Sequence, residues 1–344
     1  MNGCSSARLA ARPSGAAIIR SASTHPWRNL ALEEHLALRI RPGQAILYLW
    51  RNRPSVVIGR NQNPWQECRL DLLARDGALL ARRPSGGGAV YHDLGNLNFT
   101  FIVSRELYDL DRQLALVLAA LHSLGVPAQL SQRKDLLVGP YKISGSAIWL
   151  RAGFACHHGT LLINSDLDRL HRYLHPAAQV ATRSIQSVRS PVTNLSHVRP
   201  GLDVETASQA LIHAFADSCG TEPCAHKLDP DSMPELDALL SKHASWQWQV
   251  GECPHFDASF KNTFSWGDAQ LHLTVHKGTI ERASLTASAL HPHLAARLSA
   301  ALTALPMRQP DVSTALARAS TDLDTAESAV LDDISRWLSG LLHS

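Results

Sequence analysis

The sequence predicts an α/β (α+β) protein with a mixed sheet and a second, smaller α+β domain. Short apolar segments typical of strands alternate irregularly with segments that have a helical period. This irregular order argues against an alternating parallel barrel. From Ser259 onward a predicted β-hairpin and two helices follow one another, which indicates a separate small domain. The 344 residues are enough for two hydrophobic cores.

The first half of the chain contains clear element signals. Thr24 and Pro26 predict a helix start, and Pro42-Gly43 predicts its end. The amphipathic pattern Leu114-Val117-Leu118-Leu121, with Gly125 after it, predicts a helix over 111–124. Apolar runs predict strands at 45–50, 55–59, 88–91 and 97–103, and a short helix at 70–77.

The second half continues in the same way. Asp203 and Gly220 flank a predicted helix over 204–219 as cap and stop. Alternation on both sides of His276-Lys277-Gly278 predicts the hairpin. The remaining predicted elements are strands at 135–138, 142–150 and 157–164 and helices at 166–174, 292–304 and 326–342.

Bulk composition excludes several function classes. The net charge of +3 is too small for the basic stripe of a nucleic-acid-binding surface, and no apolar run is long enough to span a bilayer. Six cysteines are spread along the chain without a C-x-x-C pair, so we expect reduced thiols in an intracellular compartment. They are Cys4, Cys68, Cys156, Cys219, Cys224 and Cys253.

The N-terminal residues differ from the rest in composition. Arginines and serines are frequent before the first acidic residue, Glu33, which is typical of a mitochondrial transit peptide. We therefore expect residues 1–23 to be a leader outside the fold, cleaved near Arg20 to Ser23, and the mature protein to lie in the mitochondrial matrix. The alternative is a disordered tail with chance composition.

The densest functional signal is the segment Arg82–Asn96, which contains three consecutive glycines beside a predicted strand. Glycines allow a ligand to approach the main chain, and the exposed amides can bind phosphate oxygens. Arg82 and Arg83 add charge suited to phosphate or carboxylate. The segment has neither the Walker ending nor the G-x-G-x-x-G spacing, and a plain turn is the alternative.

A second signal is Lys142-Ile143-Ser144-Gly145-Ser146-Ala147, where a lysine followed by small residues could place an ammonium in a cleft and stabilise transition-state charge. Arg133-Lys134-Asp135 could bring charge to the same site, and Ser187–Leu195 could close it. Each of these three segments could also be an ordinary solvated strand end or surface loop. The G-x-S-x-G elbow of serine hydrolases is absent from the sequence.

The adjacent histidines His157 and His158 lie in a predicted strand and should point to opposite faces, so both cannot bind one metal from that strand. A metal site would need Cys156 or distant ligands, and we expect none. One histidine should be packed or hydrogen-bonded, and the other should lie near the cleft.

Together these segments resemble the lipoate-protein ligase and lipoyltransferase family. The matching segments are Ser55–Asn63, Arg82–Asn98, Lys142–Ala147, His157–Leu162 and Ser187–Leu195. Gln62–Cys68 and the arginine-rich leader look like the mitochondrial lipoyltransferase branch. The resemblance implies a catalytic domain over 24–250, related to biotin-protein ligase and class II synthetase folds, and an accessory domain over 255–344.

The resemblance also implies a substrate, lipoyl-AMP, and no tightly bound cofactor. Lys142 would be the catalytic residue, contacting the phosphate and the acyl carbonyl. The other substrate-binding residues implied by the resemblance are Arg83, Gly88, Ala89, Val90, Tyr91, Arg133, Thr160, Ser187 and Val188. The loop at Ser187 and Val188 would close over the nucleotide.

One departure from the family pattern concerns Lys134, since bacterial ligases tend to have asparagine at this position. A lysine there could compete for charge where Mg-ATP would sit. We therefore favour a transferase that takes lipoyl from lipoyl-AMP or from the glycine-cleavage H protein. The acceptors implied are lipoyl domains of the E2 subunits of pyruvate, 2-oxoglutarate and branched-chain 2-oxoacid dehydrogenases, and we expect a monomer.

Three alternatives stay open at this point. A complete ATP-dependent ligase would also form lipoyl-AMP. An octanoyltransferase would need a nucleophilic cysteine, and Cys156 is the one cysteine near a motif. A non-catalytic protein could have kept the fold for binding alone.

Overall fold

The computed structural model describes residues 12–174, 179–182, 184–188, 190–288, 291–319 and 323–342. They form two compact units, each assembled from several chain segments. The first contains the described residues of Met1–Arg53, Asp93–Asp166 and Arg189–Leu240, and the second those of Pro54–His92, Leu167–Val188 and Ser241–Ser344. No helix among the described residues has the length and apolar character needed to cross a membrane.

The strands of the described residues, in chain order, are β1 (Gly15–Ser21), β2 (Gln44–Trp50), β3 (Ser55–Ile58), β4 (Leu79–Arg82), β5 (Val90–His92), β6 (Asn96–Ser104), β7 (Gln129–Leu130), β8 (Leu136–Val138), β9 (Tyr141–Ser144), β10 (Ser146–Leu150), β11 (Phe154–Leu162), β12 (Gln179–Thr182), β13 (Ala225–Leu228), β14 (Phe256–Phe264), β15 (Gly267–His276) and β16 (Thr279–Ala287). The helices are α1 (Pro26–Arg39), α2 (Pro64–Glu67), α3 (Leu70–Arg75), α4 (Leu110–Ser123), α5 (Leu167–Tyr173), α6 (Leu195–Val198), α7 (Val204–Cys219), α8 (Asp237–Ala244), α9 (Pro292–Leu302), α10 (Gln309–Ala319) and α11 (Thr325–Leu341).

The first unit is built on a six-stranded sheet in the order β10-β11-β6-β2-β1-β13. Strands β10, β11, β6 and β2 pair antiparallel, whereas β2, β1 and β13 pair parallel. The predicted mixed sheet is thereby confirmed. Helices α4 and α7 pack together, and their apolar faces join the sheet in one core that includes Val117, Leu211 and Phe101.

Strand β1 corrects the expectation that residues up to 23 stand outside the fold. It pairs with β2 on one side and with β13 on the other. Ile18 is 1% exposed and belongs to the core of the first unit. Residues 15–21 are therefore an internal strand, and cleavage near Arg20 to Ser23 would remove it. Residues 1–11, where most of the leader pattern lies, fall outside the described residues.

The segment 142–150, predicted as one strand, is divided at Gly145 into two strands that belong to different sheets. Strand β9 completes the small antiparallel sheet β7-β8-β9, whereas β10 is the edge of the six-stranded sheet. The change of sheet places Lys142, near the start of β9, beside the turn that precedes β8.

The second unit contains a three-stranded sheet, β4-β3-β5, and a four-stranded antiparallel sheet, β12-β14-β15-β16. The predicted hairpin is confirmed as β15 and β16, with its turn at Lys277 and Gly278, both at positive φ. Helices α9, α10 and α11 share one core with these strands. Helix α10 and strand β14 were not predicted.

Candidate active site

The glycine-rich loop lies between β4 and β5 in the second unit. Gly59 approaches it so closely that a Cβ at Gly59 would lie 2.3 Å from the Gly87 carbonyl oxygen. Arg60 donates its main-chain N–H to the Ser85 carbonyl at 2.7 Å. Gly87 has a φ of 88°, in the region that favours glycine. The loop is therefore an ordered structure held against the end of β3.

Arg83 holds this loop from inside. Its Nη2 donates to the carbonyls of Gly86 and Gly88 at 2.6 and 2.7 Å, and its Nη1 donates to Val57 at 3.1 Å. The side chain is buried. Because its donors serve loop carbonyls, Arg83 shapes the loop that should receive the adenylate, and a direct contact with the adenylate stays a prediction.

Arg82 is structural, and the expectation that it supplies charge to a bound anion is wrong. The residue is fully buried, and its guanidinium donates to the carbonyls of Gly59, Arg60 and Gln62 at 2.8–3.1 Å. It also donates to Trp248 and Gln249. Burial lowers the pKa of Arg82 to about 10. The pair Arg82-Arg83 therefore organises the main chain.

Ser187 lies directly over the end of the glycine loop. A Cβ at Gly88 would lie 3.0 Å from the Ser187 hydroxyl, and the Ala89 N–H donates to that hydroxyl at 2.7 Å. The structure thus brings together Gly88, Ala89 and Ser187, three of the residues implied to bind the nucleotide. Val188 is 70% exposed, which is unusual for a large apolar side chain. Arg189 lies outside the described residues.

Val90 and Tyr91, which the resemblance also assigns to the adenylate site, differ in accessibility. Val90 is half-buried, whereas Tyr91 is 2% exposed and packs against Tyr173 with ring centroids 5.7 Å apart. The Tyr91 ring is therefore part of the core of the second unit, and any contact of Tyr91 with a ligand would have to use the main chain.

Lys142 lies in the first unit and has an acidic neighbour. Its Nζ is 2.9 Å from Asp135 Oδ1, and both side chains are about one quarter exposed (24% and 26%). The main chain of Lys142 bonds to Pro191 and Thr193, at 2.8 and 3.2 Å. These bonds fix the backbone of β9, so the ammonium has a defined place although its stem is flexible.

Thr160 is brought close to Lys142 through Gly145. The Gly145 N–H donates to Thr160 Oγ1 at 3.3 Å, and the Thr160 N–H donates to the Gly145 carbonyl at 3.1 Å. A Cβ at Gly145 would lie 3.2 Å from Lys142 Cε and 3.3 Å from its Nζ. Lys142, Gly145 and Thr160 therefore form one group, together with Asp135.

Arg133 and Lys134 lie in the turn that leads to Asp135. Arg133 is exposed, and its main-chain N–H donates to Ser131 Oγ at 3.2 Å. Lys134 has a φ of 63°, a region that asparagine tolerates better than lysine. Its ammonium pairs with Asp111 at the start of α4. Asp135 and Asp111 thus each hold a different lysine.

His157 and His158 point to opposite faces of β11, as predicted. His157 is fully buried, bonds to Gln113 at 3.1 Å and stacks on Phe101. Burial lowers the pKa of His157 to about 3. His158 is also buried and bonds to Glu33 at 3.0 Å, so both histidines are packed and hydrogen-bonded, and the position of one of them near the cleft stays a prediction.

Cys156 precedes them on the same strand and is fully buried. Burial raises the pKa of its thiol well above the ordinary value, with Glu33 and Glu34 adding to the effect. Because the thiolate is the nucleophilic form, this environment disfavours a covalent role for Cys156. Among the described residues, no group of three or more histidine, cysteine, aspartate or glutamate side chains could hold a metal ion.

Sequence reasoning assigned no role to Gln62 or Glu67, and it named Gly145 only as one of the small residues after Lys142. Gln62 and Glu67 both contact Ser187, although Ser187 lies more than a hundred residues further along the chain. They stand in the segment Gln62–Cys68, which was noted for its resemblance alone. The available signal was local: a polar side chain on either side of an apolar Pro-Trp pair.

The predicted residues thus fall into two groups, one in each compact unit. Lys142, Thr160 and Arg133 belong to the first unit, and Lys142 and Thr160 are neighbours there. The second unit contains the glycine loop with Arg83 and Ser187. Each group offers what acyl-phosphate chemistry needs: one supplies an ammonium, and the other supplies an ordered glycine loop.

Protein-family models and solved structures match this chain. The family model of the lipoyl protein ligase A/B catalytic domain matches residues 25–216, and the model of the bacterial lipoate protein ligase C-terminus matches 253–338. P. falciparum LipL1, solved in complex with lipoate, is 28% identical, and the match covers 94% of this chain and 99% of that one, with a TM-score of 0.62.

Two further solved structures are similar over 69% of this chain. The bipartite lipoate protein ligase of Thermoplasma acidophilum, studied with its E2 lipoyl domain, is 26% identical; the match covers 69% of this chain and 96% of that one, with a TM-score of 0.57. A lipoate-protein ligase A bound with ATP is 25% identical; here the match covers 69% and 98%, also with a TM-score of 0.57. The chain therefore belongs to the lipoate-protein ligase family.

Proposed function

We propose that this protein transfers a lipoyl group from lipoyl-AMP, or from a lipoylated carrier such as the H protein, to the acceptor lysine of E2 lipoyl domains. Family membership establishes a lipoate-protein ligase-like enzyme. The finer assignment is supported by one observation in particular: the ammonium of Lys142 is held between Asp135 and the bare Cα of Gly145.

With a lipoylated carrier as donor, the amide bond to the carrier's lysine breaks, and that lysine takes up one proton and leaves as an amine. With lipoyl-AMP, the reaction is an acyl transfer from a mixed anhydride. The amine of the acceptor lysine attacks the acyl carbonyl carbon, the carbon–oxygen bond to the phosphate breaks, and AMP leaves with the electron pair. The attacking nitrogen loses one proton to solvent or to a base. Charge develops on the carbonyl oxygen and on the phosphate, and a fixed ammonium stabilises both.

Lys142 is suited to electrostatic work rather than to forming a covalent intermediate. Its Nζ is engaged by Asp135 at 2.9 Å, and an ammonium paired with a carboxylate in this way is placed to stabilise charge rather than to attack a carbonyl. A partly exposed ammonium can exchange Asp135 for an anionic ligand at modest cost, because exposed ion pairs are weak. We therefore assign Lys142 to binding the phosphate and the acyl oxygen.

Lys134 supports the choice of transferase over complete ligase. Lys134 immediately precedes Asp135 in the chain, and its ammonium pairs with Asp111. This adds positive charge where the resemblance places the handling of Mg-ATP, and a cation there opposes binding of a second cation. Lipoyl-AMP needs no metal for the transfer half-reaction, so that step is unaffected.

The donor comparison tests the proposal. Purified protein is given an apo lipoyl domain with one of three donors: lipoate with ATP and magnesium, lipoyl-AMP, or lipoylated H protein. Lipoylation from lipoyl-AMP or H protein, without pyrophosphate release from ATP, is the expected result. Pyrophosphate release with free lipoate would establish the complete ligase instead, and no lipoylation from any donor would leave a binding protein.

The mitochondrial matrix is the proposed location, because arginines and serines without acidic residues characterise the first residues of the sequence. The position of β1 limits any cleavage to a site before Gly15. Import into isolated mitochondria, followed by sequencing of the N-terminus of the imported protein, tests both statements. A chain that is neither imported nor processed would contradict the mitochondrial location.

A further inference from the structure

The hydroxyl of Ser187 is fully engaged by three partners within the second unit. It accepts the N–H of Ala89 at 2.7 Å and the side-chain amide of Gln62 at 3.1 Å. It donates its one proton to Glu67 Oε2. A hydroxyl has one donor and two acceptor sites, so this arrangement uses all of them.

Glu67 is the charged member of this group. It lies in α2, is 5% exposed, and also accepts the main-chain N–H of Ser187 at 3.3 Å. A carboxylate that accepts both N–H and O–H forms charge-assisted bonds, which are stronger than those between neutral groups. Glu67 therefore fixes both the backbone and the side chain of Ser187.

The neighbours of Glu67 extend the same attachment along the loop 184–187. Gln66 accepts the hydroxyl of Ser184 at 2.5 Å. Gln62 donates to the Ile185 carbonyl at 3.3 Å and also accepts the N–H of Gly59 at 2.9 Å. Three polar side chains of one short segment thus hold the loop, and the same segment contacts Gly59, which lies against the glycine loop.

The loop has little apolar anchoring of its own. Ile185 and Val188 are 52% and 70% exposed. Their exposure means that the loop is held by the polar contacts described above rather than by burial. Removal of one such contact should therefore increase the mobility of the loop much more than that of the core of the unit.

We propose that Glu67 is a positioning residue for nucleotide binding: through Ser187 it presets the loop 184–187 over Gly88 and Ala89. The inference rests on the proposed function, because it takes the main chain at Gly88 and Ala89 as part of the lining of the adenylate site. Glu67 touches no substrate atom in this scheme. Glu67 keeps the loop ordered in the free protein, so less conformational entropy is lost when the nucleotide binds.

The test measures binding of a non-hydrolysable lipoyl-adenylate in which a sulfamate replaces the phosphate. We expect Glu67→Ala and Ser187→Ala each to raise Kd by about tenfold, the scale of one charge-assisted hydrogen bond. The double variant should match the singles, because both remove the same link. Glu67→Gln, which can still accept the hydroxyl proton, should restore most of the affinity, and Glu222→Ala, an exposed carboxylate, is the control.

A second measurement keeps this inference separate from the proposed function. Amide hydrogen exchange in the free protein should become faster at 184–188 in Glu67→Ala, while exchange in β14 and β15 stays unchanged. If wild type fails to bind the analogue, the proposed function fails and the exchange data still judge the link. The positioning role would be overturned if the single variants bind like wild type. It would also be overturned if the two single effects multiply, so that the double variant has a Kd raised about a hundredfold.

Discussion

Lys142 Nζ lies 2.9 Å from Asp135 Oδ1; Lys142 is in β9, and Asp135 immediately precedes β8, the strand that pairs with β9. The ion pair holds the ammonium in place, beside the bare Cα of Gly145. A charge prepared in this way needs little reorganisation when an oxyanion forms nearby.

Replacement of Lys142 by alanine should lower the transfer rate by roughly 10²–10³, the range found when one oxyanion donor is removed. The fold should persist, because the side chain is partly exposed and its main-chain bonds remain. Single-turnover transfer from lipoyl-AMP measures the rate, and a thermal melt checks the fold. The exposed Lys227→Ala serves as control. A trapped lipoyl-Lys142 amide competent for transfer would show that the lysine is a nucleophile instead.

Gly145→Ala should reduce transfer by roughly tenfold to a hundredfold, because small misplacements of catalytic groups are costly. The new methyl would press on Lys142 Cε and Nζ and displace this end of a flexible side chain rather than any backbone, so the stability of the fold should change little. The rate of transfer from lipoyl-AMP is the measurement. Gly153→Ala is the matched control, since a Cβ there would meet no atom within 4 Å. Equal rates for the two variants would mean that the position of the ammonium is unimportant.

Removal of residues 1–11 and removal of residues 1–23 should have different effects. The longer deletion takes away β1, exposes the partners of Ile18 and Ile19, and leaves β2 and β13 without their shared neighbour. Burial of the two isoleucines alone contributes about 3–6 kcal/mol, so the longer deletion should lower the free energy of unfolding by at least this amount. Urea unfolding of both truncated proteins measures it. Equal midpoints would contradict an internal β1.

His157 should make stability depend on pH. Burial lowers its pKa to about 3, so the folded protein keeps the ring neutral while the unfolded chain binds a proton below the ordinary value of 6.5. The stabilising contribution is present above pH 6.5 and is lost as pH falls from 6.5 towards 3. Between pH 7 and 5 the loss is about 2 kcal/mol for this one group.

Urea unfolding of wild type and His157→Gln at pH 7 and 5 tests this expectation. The difference in stability between the two proteins should shrink at the lower pH, because the variant has no ring to protonate. His226→Gln, at an exposed position, should follow wild type at both values. A difference that stays constant with pH would show that the histidine titrates alike in both states.

Cys156→Ala should leave lipoyl transfer largely intact. The thiol is fully buried with a raised pKa, so it is not available as a thiolate. A small loss of stability, about 1 kcal/mol, is expected from the removed sulfur atom. Transfer from lipoyl-AMP and from an octanoyl donor measures the effect. Loss of activity in a folded variant would favour the octanoyltransferase chemistry that needs a cysteine.

Much of the fold could be predicted because its signals are local. The helix start at Pro26, the cap at Asp203 and the hairpin turn at Gly278 depend on residues a few positions apart. The opposite orientation of His157 and His158 follows from the period of a strand. The glycine run and Lys142 were identifiable because these residue types have few reasons to occur in such patterns.

The errors concern partners that lie far apart in the chain. The composition before Gly15 resembles a leader, whereas β1 is a strand because β2 and β13 pair with it. Arg82 resembles an anion ligand in sequence, yet its donors bind main-chain carbonyls, including those of Trp248 and Gln249, more than 160 residues away.

The sequence by itself determined which family this chain belongs to, where most helices and strands lie, and which lysine and glycines are candidates for the chemistry. Only the tertiary structure decided that Asp135 holds Lys142, that Tyr91 is core, and that Glu67 reaches Ser187 across 120 positions. The physical reason is that periodicity and turn geometry are set by neighbours in sequence. A hydrogen-bond partner is set by packing, which joins residues that the sequence separates.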